Sequence, residues 1–247
     1  DRVVIGAPNN DTQGSNAGEV KVYSWNGSAW SQLGSTIYGP STQAGAGVGT
    51  SVDINDAGDK VVFGATGYNG GSTAKGIVWV YSWNGSAWVI QDNSNTDLEG
   101  GGYLYKFGWR VSFDSDGDRL AISGLGPPTS KGHVEMYEWS GSTWNQLGST
   151  ITGSTNYDVL GYGISLDADG DQVAIGIRGE DGSAGDGSGA VSIYSWDGSS
   201  WSIVGSTIEG SVASKGFGGS VSISSSGEMF VAGASSSGVG YAKVYKW

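Results

Sequence analysis

Cysteine is absent from this chain of 247 residues, and proline and histidine are scarce, at four and one residues. Without cysteine the chain has no disulfide bonds, no thiol nucleophile and no metal site built on thiolate ligands. No apolar run is long enough to cross a bilayer as a helix, so we expect no direct membrane insertion. The first residue, Asp1, already lies in a strand-like phrase, as expected of a mature or partial chain, so a removed secretion signal stays open.

Positive charge is the second scarcity. Twelve lysines and arginines stand against 24 aspartates and glutamates, which gives a formal net charge of −12. A nucleic-acid-binding surface needs a basic face to neutralise phosphates, and the cations here are scattered singly. We therefore expect neither nucleic acid nor an acidic membrane surface as a partner. We interpret the acid excess as a means of keeping a tryptophan-rich surface soluble.

Glycine is abundant instead, with 46 residues, and it is accompanied by 11 tryptophans and 12 tyrosines. In a helix interior each glycine costs about 1 kcal/mol relative to alanine, so long helices are unfavourable. The large aromatic side chains can still form a core. This composition predicts many short strands joined by tight turns.

An eight-residue phrase recurs along the chain. It reads YSWNGSAW from Tyr23 and again from Tyr81, YEWSGSTW from Tyr137 and YSWDGSSW from Tyr194. The first tryptophans of these phrases and the terminal tryptophan are Trp25, Trp83, Trp139, Trp196 and Trp247, at steps of 58, 56, 57 and 51 residues. A regular period of this length indicates an internal structural repeat.

Further phrases recur in phase and define four strand positions in each unit, which we name A to D. Position A is exemplified by Ser220–Ser224, and a tight turn such as DSDG leads from A to B, exemplified by Arg119–Ser123. Position C is exemplified by Gly189–Trp196 and position D by Trp201–Gly205. The Asn-Gly, Asp-Gly or Ser-Gly pair between the two tryptophans is a hairpin signal. Positions B and C occur five times in the sequence, whereas A and D occur four times.

Strand position C carries large apolar residues on both faces. In VWVYSW, Val78 and Val80 alternate with Trp79, Tyr81 and Trp83, and neither face carries charge. Such a strand must be covered on both sides. Small four-stranded sheets that cover one another are the blades of a β-propeller, and a repeat of roughly 56 residues agrees with this architecture. The sequence thus predicts an all-β fold, a β-propeller of four-stranded antiparallel blades.

We predict a single propeller domain over residues 1–247, with repeat units at about 1–50, 51–109, 110–162, 163–218 and 219–247, the first and last incomplete. The missing strand positions, one D and one A, would be adjacent across the join between Trp247 and Asp1. We favour five blades that close on themselves with a gap at this seam. Six or seven blades, in a chain that is a window of a longer repeat array, stay open.

Parts of the repeat resemble the FG-GAP repeat of integrin α-subunit propellers. The segments Lys106–Gly124 and Gly216–Ala234 carry Phe-Gly before position A, and IGAP at Ile5–Pro8 carries Gly-Ala-Pro after position B. The Trp-Asn-Gly-Ser-x-Trp phrase is similar to tandem repeats of secreted proteins of marine microbes and algae. The resemblance implies an extracellular or cell-surface protein with a role in adhesion, and it is specific for fold rather than for function.

The same resemblance implies calcium in the A–B turn, bound by the pattern D-x-D-x-D-G-x-x-D. The corresponding phrases here, DSDGD and DADGD, are shorter than that pattern. Their candidate calcium ligands are Asp114, Asp116, Asp118, Asp167, Asp169 and Asp171. Calcium takes about six to eight oxygen ligands, and Asp and Gly are also favoured in tight turns for backbone reasons alone. We favour the tight turn, expect no other cofactor and leave calcium open.

Little in the sequence points to catalysis. His133 stands where other units have unrelated residues such as Glu19, so we interpret it as a variable residue at the start of a strand. No G-x-S-x-G nucleophile motif occurs. The carboxylates near position A, on Asp53, Asp114 and Asp167, form no distinctive acid–base set. We therefore predict that the chain is not an enzyme, and a polysaccharide-degrading activity is the least favoured alternative.

Binding residues are expected on the face of the propeller formed by the B–C and D–A loops, where the units differ most. The stretch GGYLYKFGW in this region is rich in aromatic residues, and aromatic side chains with polar tips are favoured at interfaces. The candidate ligand-binding residues are Tyr103, Tyr105, Trp109, Tyr38, Tyr68, Tyr157 and Tyr162. In the alternative interpretation these rings are plugs packed between blades.

We predict a non-enzymatic extracellular interaction module that binds a protein or glycan partner through this face. The alternative is a structural propeller segment of a larger cell-surface or filament protein. Three N-x-[ST] sequons, at Asn10, Asn26 and Asn84, are glycosylation candidates. They are weak support for a secreted glycoprotein, because two of them belong to the repeated phrase itself.

Overall fold

The described part of the chain is built from β-strands. The computed structural model describes residues 1–39, 43–68, 74–91, 98–101, 106–126, 130–235 and 239–246. These residues form 21 strands and no helix, so the predicted all-β class is confirmed. It follows that none of the described residues belongs to a helix with the length and apolar character needed to cross a bilayer.

The strands group into five antiparallel sheets in chain order. The first sheet contains β1 (Arg2–Ala7), β2 (Glu19–Trp25) and β3 (Trp30–Gln32). The second contains β4 (Val48–Ile54), β5 (Lys60–Ala65), β6 (Ile77–Trp83), β7 (Trp88–Ile90) and β8 (Leu98–Glu99). The third contains β9 (Phe107–Phe113), β10 (Arg119–Gly124), β11 (His133–Trp139), β12 (Trp144–Gln146) and β13 (Ile151–Thr152). The fourth contains β14 (Leu160–Leu166), β15 (Gln172–Ile177), β16 (Ala190–Trp196), β17 (Trp201–Ile203) and β18 (Ile208–Glu209), and the fifth contains β19 (Phe217–Ile223), β20 (Met229–Ala234) and β21 (Tyr241–Lys246).

Each complete sheet has the predicted strand positions A to D. In the second sheet the order is β4-β5-β6-β7, and the short β8 also pairs with β6, so position D is one strand with an interruption. The third and fourth sheets repeat this arrangement. Among the described residues the first sheet lacks position A and the fifth lacks position D. These are the two positions that the sequence pattern also lacks.

The hairpin between positions C and D is held by one side chain. Asn26 Oδ1 accepts hydrogen bonds from the backbone amides of Ser28 and Ala29, both at 2.9 Å, and Gly27 has a φ of 97°. Asn84 and Asp197 make the same contacts in later sheets. An acceptor side chain followed by a glycine in the left-handed region is what a two-residue hairpin requires. This requirement explains why the phrase recurs.

At three of the four boundaries consecutive sheets approach each other through paired glycines, and between the third and fourth sheets Ser123 faces Gly161. A Cβ on Gly64 of β5 would clash with the carbonyl oxygen of Gly108 in β9, and Gly176 of β15 faces Gly218 of β19 in the same way. The first glycine of each pair lies near the end of position B, and the second lies at the start of position A, after phenylalanine. The two halves of the FG-GAP resemblance are therefore the two sides of one close contact between sheets.

Apolar cores lie between the sheets. Between the second and third sheets, Val78 and Val80 pack with Phe107, Phe113 and Leu120, and all five are buried. Equivalent clusters lie between the first and second, the third and fourth, and the fourth and fifth sheets. The three inner sheets are thus covered on both faces, as the pattern of strand position C predicts.

The strands at position A form the innermost layer. β4, β9, β14 and β19 pack side by side, each against its counterpart in the next sheet. The turns that follow them are also joined, because Asp56 N donates to Ser115 O at 3.0 Å and Ser115 N donates to Ala168 O at 3.0 Å. One end of this layer therefore carries the A–B turns, and the other end adjoins the B–C and D–A loops.

In the second and fourth sheets, the second tryptophan of the hairpin ties the sheet to the preceding one. Trp88 Nε1 donates to the carbonyl oxygen of Leu33 at 2.9 Å, and Trp201 Nε1 donates to that of Leu147 at 3.0 Å. The paired rings within each hairpin are in contact as well, with centroids 5.3 Å apart for Trp83 and Trp88. These tryptophans are therefore part of the framework between sheets.

The first and fifth sheets each leave one apolar face uncovered. In the first sheet Ile5 and Trp30 are 52% and 48% exposed, and in the fifth Val244 is 72% exposed. Phe63 and Val80, which occupy the places of Ile5 and Val244 in the second sheet, are buried between neighbours. Five sheets are present, as predicted, but across the described residues these exposed faces leave the favoured five-blade ring open at the seam.

The predicted unit boundaries fall inside strands. The position-A strands begin at Val48, Phe107, Leu160 and Phe217, two or three residues before the predicted starts at 51, 110, 163 and 219. The second residue of each strand is a glycine in the left-handed region, for example Gly108 with a φ of 82°. A glycine carries no side-chain signal for a strand, so the sequence pattern does not mark the first residue of position A, and the approximate unit bounds stay a prediction. The single-domain interpretation stays a prediction.

Candidate functional site

One place in the innermost layer is different in every sheet. The third residue of position A is Thr50 in β4, Trp109 in β9, Tyr162 in β14 and Gly219 in β19. Each of them lies at the end of its strand that adjoins the B–C and D–A loops. Because these strands pack side by side, the variation is concentrated around the centre of the fold. Two of the four residues are aromatic, and both are sequence-predicted site residues.

Trp109 and Tyr162 are in contact across the boundary between the third and fourth sheets. Their ring centroids are 5.4 Å apart, with an angle of 57° between the ring planes. Trp109 Nε1 also donates a hydrogen bond to the backbone carbonyl oxygen of Tyr162 at 3.3 Å. The structure thus brings two of the predicted residues together as one aromatic pair.

An arginine lies against each of these rings. The guanidinium carbon of Arg110 is 4.9 Å from the ring centroid of Trp109, and that of Arg178 is 4.7 Å from the ring centroid of Tyr162. Both distances fall within the range of cation–π contacts, about 6 Å. Arg110 Nη1 also donates to the backbone carbonyl oxygen of Trp109 at 2.9 Å. We call Trp109, Arg110, Tyr162 and Arg178 the arginine–aromatic cluster.

The arginines of this cluster have no carboxylate partner in the described part of the chain. The ion pairs found there join Lys21 with Glu19, Lys75 with Glu99 and Arg119 with Glu138. Burial lowers the pKa of the Arg110 guanidinium, and Tyr162 acts in the opposite direction. The cluster therefore holds two positive charges that are neutralised by no acidic side chain among the described residues.

Small residues surround the cluster. A Cβ on Gly216 would lie 2.9 Å from Arg178 Cγ, and a Cβ on Gly219 would lie 3.9 Å from Arg178 Cδ, so the fifth sheet presents backbone at this point. On the side of the second sheet, the short Thr50 side chain donates to the carbonyl oxygen of Gly47 at 2.7 Å. The cluster thus combines two rings and two guanidinium groups beside small neighbours. This chemistry suits a polar ligand with an apolar face.

Sequence reasoning found the rings of the cluster and missed the arginines. Arg178 follows the end of position B, where other units have Pro8, Thr66, Leu125 and Ser235. A cation that appears in only one unit, in a chain with four arginines, is a signal that could have been found. Its partner ring, Tyr162, is 16 residues away in the sequence, and nothing local connects the two.

The other predicted ligand-binding residues do not join the cluster. Tyr68 packs edge-on against Trp79 in the core between the first and second sheets, with centroids 5.7 Å apart, which agrees with the plug interpretation. Tyr157 is 61% exposed in a D–A loop, with a φ of 74°, and Tyr38 is half-buried after position D of the first sheet. Two further predicted residues, Tyr103 and Tyr105, lie outside the described residues.

The acidic A–B turns use a carboxylate to bind the backbone. Asp114 Oδ1 accepts hydrogen bonds from the amides of Asp118 at 3.0 Å and Arg119 at 3.1 Å, and Asp167 makes the equivalent two bonds. In the second sheet Asn55 Oδ1 makes the same two bonds without a charge. The turn geometry is therefore satisfied by hydrogen bonds alone, as the tight-turn interpretation requires.

The described part of the structure shows no cluster of acidic side chains arranged to bind calcium. Among the described residues no group of three or more histidine, aspartate or glutamate side chains is placed to hold a metal ion. The backbone carbonyl oxygens of Asp116 and Asp169 accept hydrogen bonds from Lys60 Nζ at 2.8 Å and Arg119 Nη1 at 3.3 Å, cations of the preceding sheet. Calcium binding at Asp114, Asp116, Asp118, Asp167, Asp169 and Asp171 stays a prediction.

A polar cavity of about 210 Å³ lies at the end of the innermost layer that carries the A–B turns. Asp53, Asp114 and Asp167, from three different sheets, all line it. The carboxylate of Asp53 accepts the amide of Phe113 at 2.8 Å, and burial raises its pKa. Burial also raises the pKa of Asp114 and Asp167 to about 6, and Asp118 and Asp171, the last acidic residue of each turn, add to the effect. The sequence places these three carboxylates near position A, and the structure adds that they line one cavity.

His133 has a packing role in the structure. It is 4% exposed, and its ring stacks on Phe107 with centroids 6.3 Å apart and 8° between the ring planes. Burial lowers its pKa to about 4, so the imidazole is neutral near pH 7. A neutral ring stacked in the core agrees with its interpretation as a variable strand residue.

The sequon asparagines lie in turns. Asn26 and Asn84 are exposed at the tips of C–D hairpins, where their Oδ1 atoms hold the turn. Asn10 is half-buried, and its Oδ1 accepts the amide of Thr12 at 2.8 Å. Glycosylation of the three residues stays a prediction.

Solved structures share the fold of this chain. No protein-family model matches the sequence, and no curated protein matches it. The periplasmic gluconolactonase of Pseudomonas aeruginosa matches with a TM-score of 0.54 and 12% identity, over 94% of this chain and 61% of that one. A protein assigned as a 6-phosphogluconolactonase of Bacteroides uniformis matches with a TM-score of 0.53 and 14% identity, over 94% and 61% of the two chains. The fucose-specific lectin of Aleuria aurantia matches with a TM-score of 0.54 and 13% identity, over 99% and 75%.

These similar structures are β-propellers, so the sheets of this chain are those of a propeller at the level of fold. Identities of 12–14% carry the likeness no further than the fold. The chain spans about three fifths of the length of the gluconolactonases that it matches. The FG-GAP relationship remains a resemblance carried by the paired glycines.

The prediction that the chain is not an enzyme is wrong, because the sequence provides no ground for excluding an enzymatic activity. It rested on the absence of catalytic motifs along the sequence, whereas structures named as gluconolactonases have the same fold. The cavity that gathers Asp53, Asp114 and Asp167 shows the physical reason. A propeller brings together side chains that are more than 50 residues apart, so a search for local motifs cannot exclude an active site.

Proposed function

We propose that this chain is an extracellular carbohydrate-binding β-propeller whose ligand site is the arginine–aromatic cluster. The observation that carries the proposal is the contact between Trp109 and Tyr162, two rings from neighbouring sheets with a guanidinium against each. Aromatic faces pack against the C–H faces of sugar rings. Guanidinium and phenol groups hydrogen bond to sugar hydroxyls.

The comparisons support the choice of a sugar as ligand class. One similar structure is a fucose-specific lectin, and others are named for a lactone derived from a sugar. One of them is named as periplasmic, which supports a location outside the cytoplasm. Binding of extracellular glycans would also be consistent with a role in adhesion.

The proposal is tested by screening the purified chain on a glycan array and measuring affinities of the hits by calorimetry. We expect Trp109→Ala and Tyr162→Ala each to lower the affinity at least tenfold, because the packing of the sugar ring on one aromatic face is lost in each case while the other ring remains. Trp30→Ala is the matched control, since Trp30 is an exposed tryptophan on the uncovered face of the first sheet. Thermal denaturation of each variant establishes that it is folded.

The binding measurements support, overturn or extend the proposal as follows. Loss of binding in both cluster variants, with Trp30→Ala unchanged, supports the proposal. Binding that survives both substitutions, or a screen without any glycan hit, overturns it. Bound sugars are also recovered and weighed by mass spectrometry, and a chemically changed sugar that requires Trp109 and Tyr162 would extend the proposal from binding to turnover.

We also propose, from a separate observation, that the uncovered sheet faces join copies of this chain end to end. Tyr23, Trp25 and Trp30 on the first sheet repeat the residues with which the inner sheets cover their predecessors, and the Trp25 and Trp30 rings are 5.5 Å apart as in the inner hairpins. Val231 and Val244 on the fifth sheet repeat residues that receive the next sheet. The two faces are therefore opposite halves of an interface that the chain already forms four times.

A head-to-tail contact of this kind is heterologous, so it can continue from copy to copy. Exposed apolar faces also favour association. The wild-type chain is expected to form a concentration-dependent series of oligomers in sedimentation velocity. Ile5→Lys blocks one face and Val244→Lys blocks the other, and each variant alone is expected to be a monomer.

The mixture of the two variants provides the decisive measurement. Each retains the face that the other has lost, so the mixture is expected to form dimers and nothing larger. Monomeric wild-type chain at all concentrations, or higher oligomers in the mixture, would overturn the structural role.

A further inference from the structure

We propose that the arginine–aromatic cluster selects carbohydrates that carry an acidic group, a carboxylate, a sulfate ester or a phosphate ester. This inference rests on the proposed carbohydrate site and adds the class of sugar to it. Two of the four arginines in the chain, Arg110 and Arg178, converge on one pair of rings. A neutral sugar would need the rings and ordinary donors, but it would not need two cations.

The charges of the cluster differ from those of the other arginines. Arg119 pairs with Glu138 at 3.2 Å, and Arg2 donates to the carbonyl oxygen of Gly58 at 2.8 Å, so both serve contacts within the fold. In the described part of the chain, Arg110 and Arg178 contact rings and backbone and no carboxylate. Burial of the Arg110 guanidinium disfavours its charge, neither arginine forms an ion pair with a described carboxylate, and a bound anion would offset this cost.

The acidic side chains of the adjoining loops are engaged elsewhere. Asp158 accepts hydrogen bonds from the Ser154 hydroxyl at 3.0 Å and from the Thr155 amide at 2.6 Å. Glu180, two residues after Arg178, has its pKa raised by burial and by neighbouring carboxylates, Asp158 first among them. Asp158 is thus engaged by hydroxyl and amide donors, and neither acid forms an ion pair with Arg178.

The form of the guanidinium group determines what it recognises. The guanidinium carbon of each arginine lies over a ring, and each guanidinium carries five N–H donors in one plane. Arg110 uses one of these donors on the Trp109 carbonyl oxygen. In-plane donors of this kind bind two oxygens of a carboxylate, sulfate or phosphate at once, and the adjacent rings take the sugar. Gly216 and Gly219 lie beside the methylene groups of Arg178 and, being glycines, place no side chain against them.

The net charge of the chain makes this preference specific to the cluster. At −12 the molecule repels acidic sugars at long range, so an acidic ligand is bound only where cations are concentrated. The screening length at physiological ionic strength is about 8 Å, which confines the attraction to the immediate surroundings of the two arginines. Binding of acidic sugars would therefore be lost with these two residues and with few others.

Matched pairs of sugars test the inference by calorimetry. The pairs are a galactose oligosaccharide and the corresponding galacturonate, an unsulfated and a sulfated galactan oligosaccharide, and glucose and glucose 6-phosphate. We expect at least one acidic member to bind tenfold or more tightly than its neutral partner. Arg110→Gln and Arg178→Gln are expected to abolish that difference while weak binding of the neutral sugar persists.

The controls separate this inference from the proposed function. Arg119→Gln removes an arginine that is paired with Glu138 and is expected to leave the preference unchanged. Thermal denaturation identifies any variant that fails to fold, and Arg178→Gln alone suffices if Arg110→Gln does not fold, since Arg178 contacts the site from outside the strand. Equal affinities for acidic and neutral members of every pair, or a preference that survives both substitutions, overturn the inference and leave the carbohydrate site standing. Absence of binding to every sugar overturns the carbohydrate site itself.

Discussion

Gly64 in β5 lies directly against Gly108 in β9, so closely that a Cβ on Gly64 would overlap the carbonyl oxygen of Gly108. The contact joins the end of position B in one sheet to the start of position A in the next. It recurs between Gly176 and Gly218 at a later boundary, and it sets the distance between consecutive blades. At Gly64 a larger side chain would meet backbone of the next sheet, whereas the equivalent place of the third sheet holds Ser123, whose Cβ lies against Gly161.

Gly64→Ala is expected to lower the free energy of unfolding by about 2–3 kcal/mol, because the added methyl group must push two packed sheets apart. Gly101→Ala is the matched control, since a Cβ on Gly101 meets no atom of the described residues within 4 Å. Its effect is expected to stay within about 0.5 kcal/mol. Urea denaturation of both variants checks this. Equal stability of Gly64→Ala and the wild type would refute the role of the glycine pair.

Trp88→Phe is expected to cost about 1–2 kcal/mol of stability, because it leaves the carbonyl oxygen of Leu33 without the indole donor. Trp30 holds the same place in the first sheet but is 48% exposed, so Trp30→Phe is expected to change stability little. Thermal and urea denaturation of the two variants measure the difference. A cost for Trp30→Phe as large as that for Trp88→Phe would contradict the interpretation of Trp88 as a link between sheets.

Stability is expected to depend on pH through Asp114 and Asp167. Their pKa is raised to about 6 in the folded chain, against about 3.9 when unfolded, so the folded state binds these protons more tightly. Their contribution to the free energy of unfolding is therefore largest below pH 4, falls as the pH rises from about 4 to about 6, and is constant above that. His133, with a pKa lowered to about 4, acts with the opposite sign in part of this range.

The Asp114→Asn, Asp167→Asn double variant isolates the aspartate contribution, because Asn55 already holds the equivalent turn of the second sheet. Melting temperatures between pH 4.5 and 7 are compared for the variant and the wild type. The difference between them, variant minus wild type, is expected to increase with pH up to about 6, where the carboxylates of the wild type are ionised. A constant difference across this range would show that the two carboxylates do not titrate there.

Calcium addition is expected to leave the melting temperature unchanged, because Asp114 and Asp167 already accept backbone amides and would have to give up those bonds. The measurement compares the wild type and the double variant with and without millimolar calcium at pH 7.5. A rise in the wild type that is absent from the double variant would establish calcium binding at these turns after all.

Much of the candidate site was within reach of the sequence. Trp109 and Tyr162 were both predicted as binding residues because they lie in variable, aromatic parts of the repeat, and the fold places them in contact. Tyr68 was selected on the same grounds and packs in a core, since loop position alone does not tell whether a ring points inward. Arg178 was missed because its only relation to Tyr162 is spatial.

The sequence by itself determined the class of fold, the number of sheets and the hairpins, since these follow from signals within a few residues. Alternation of side chains, Asn-Gly turns and glycines at fixed places act locally and recur in every unit. Only the tertiary structure decided which residues meet at the centre. Trp109, Tyr162 and Arg178 converge because inner strands from separate sheets pack side by side, and Asp53, Asp114 and Asp167 reach one cavity for the same reason. Contacts between units depend on how the sheets are arranged in space, and no pattern within one unit records that arrangement.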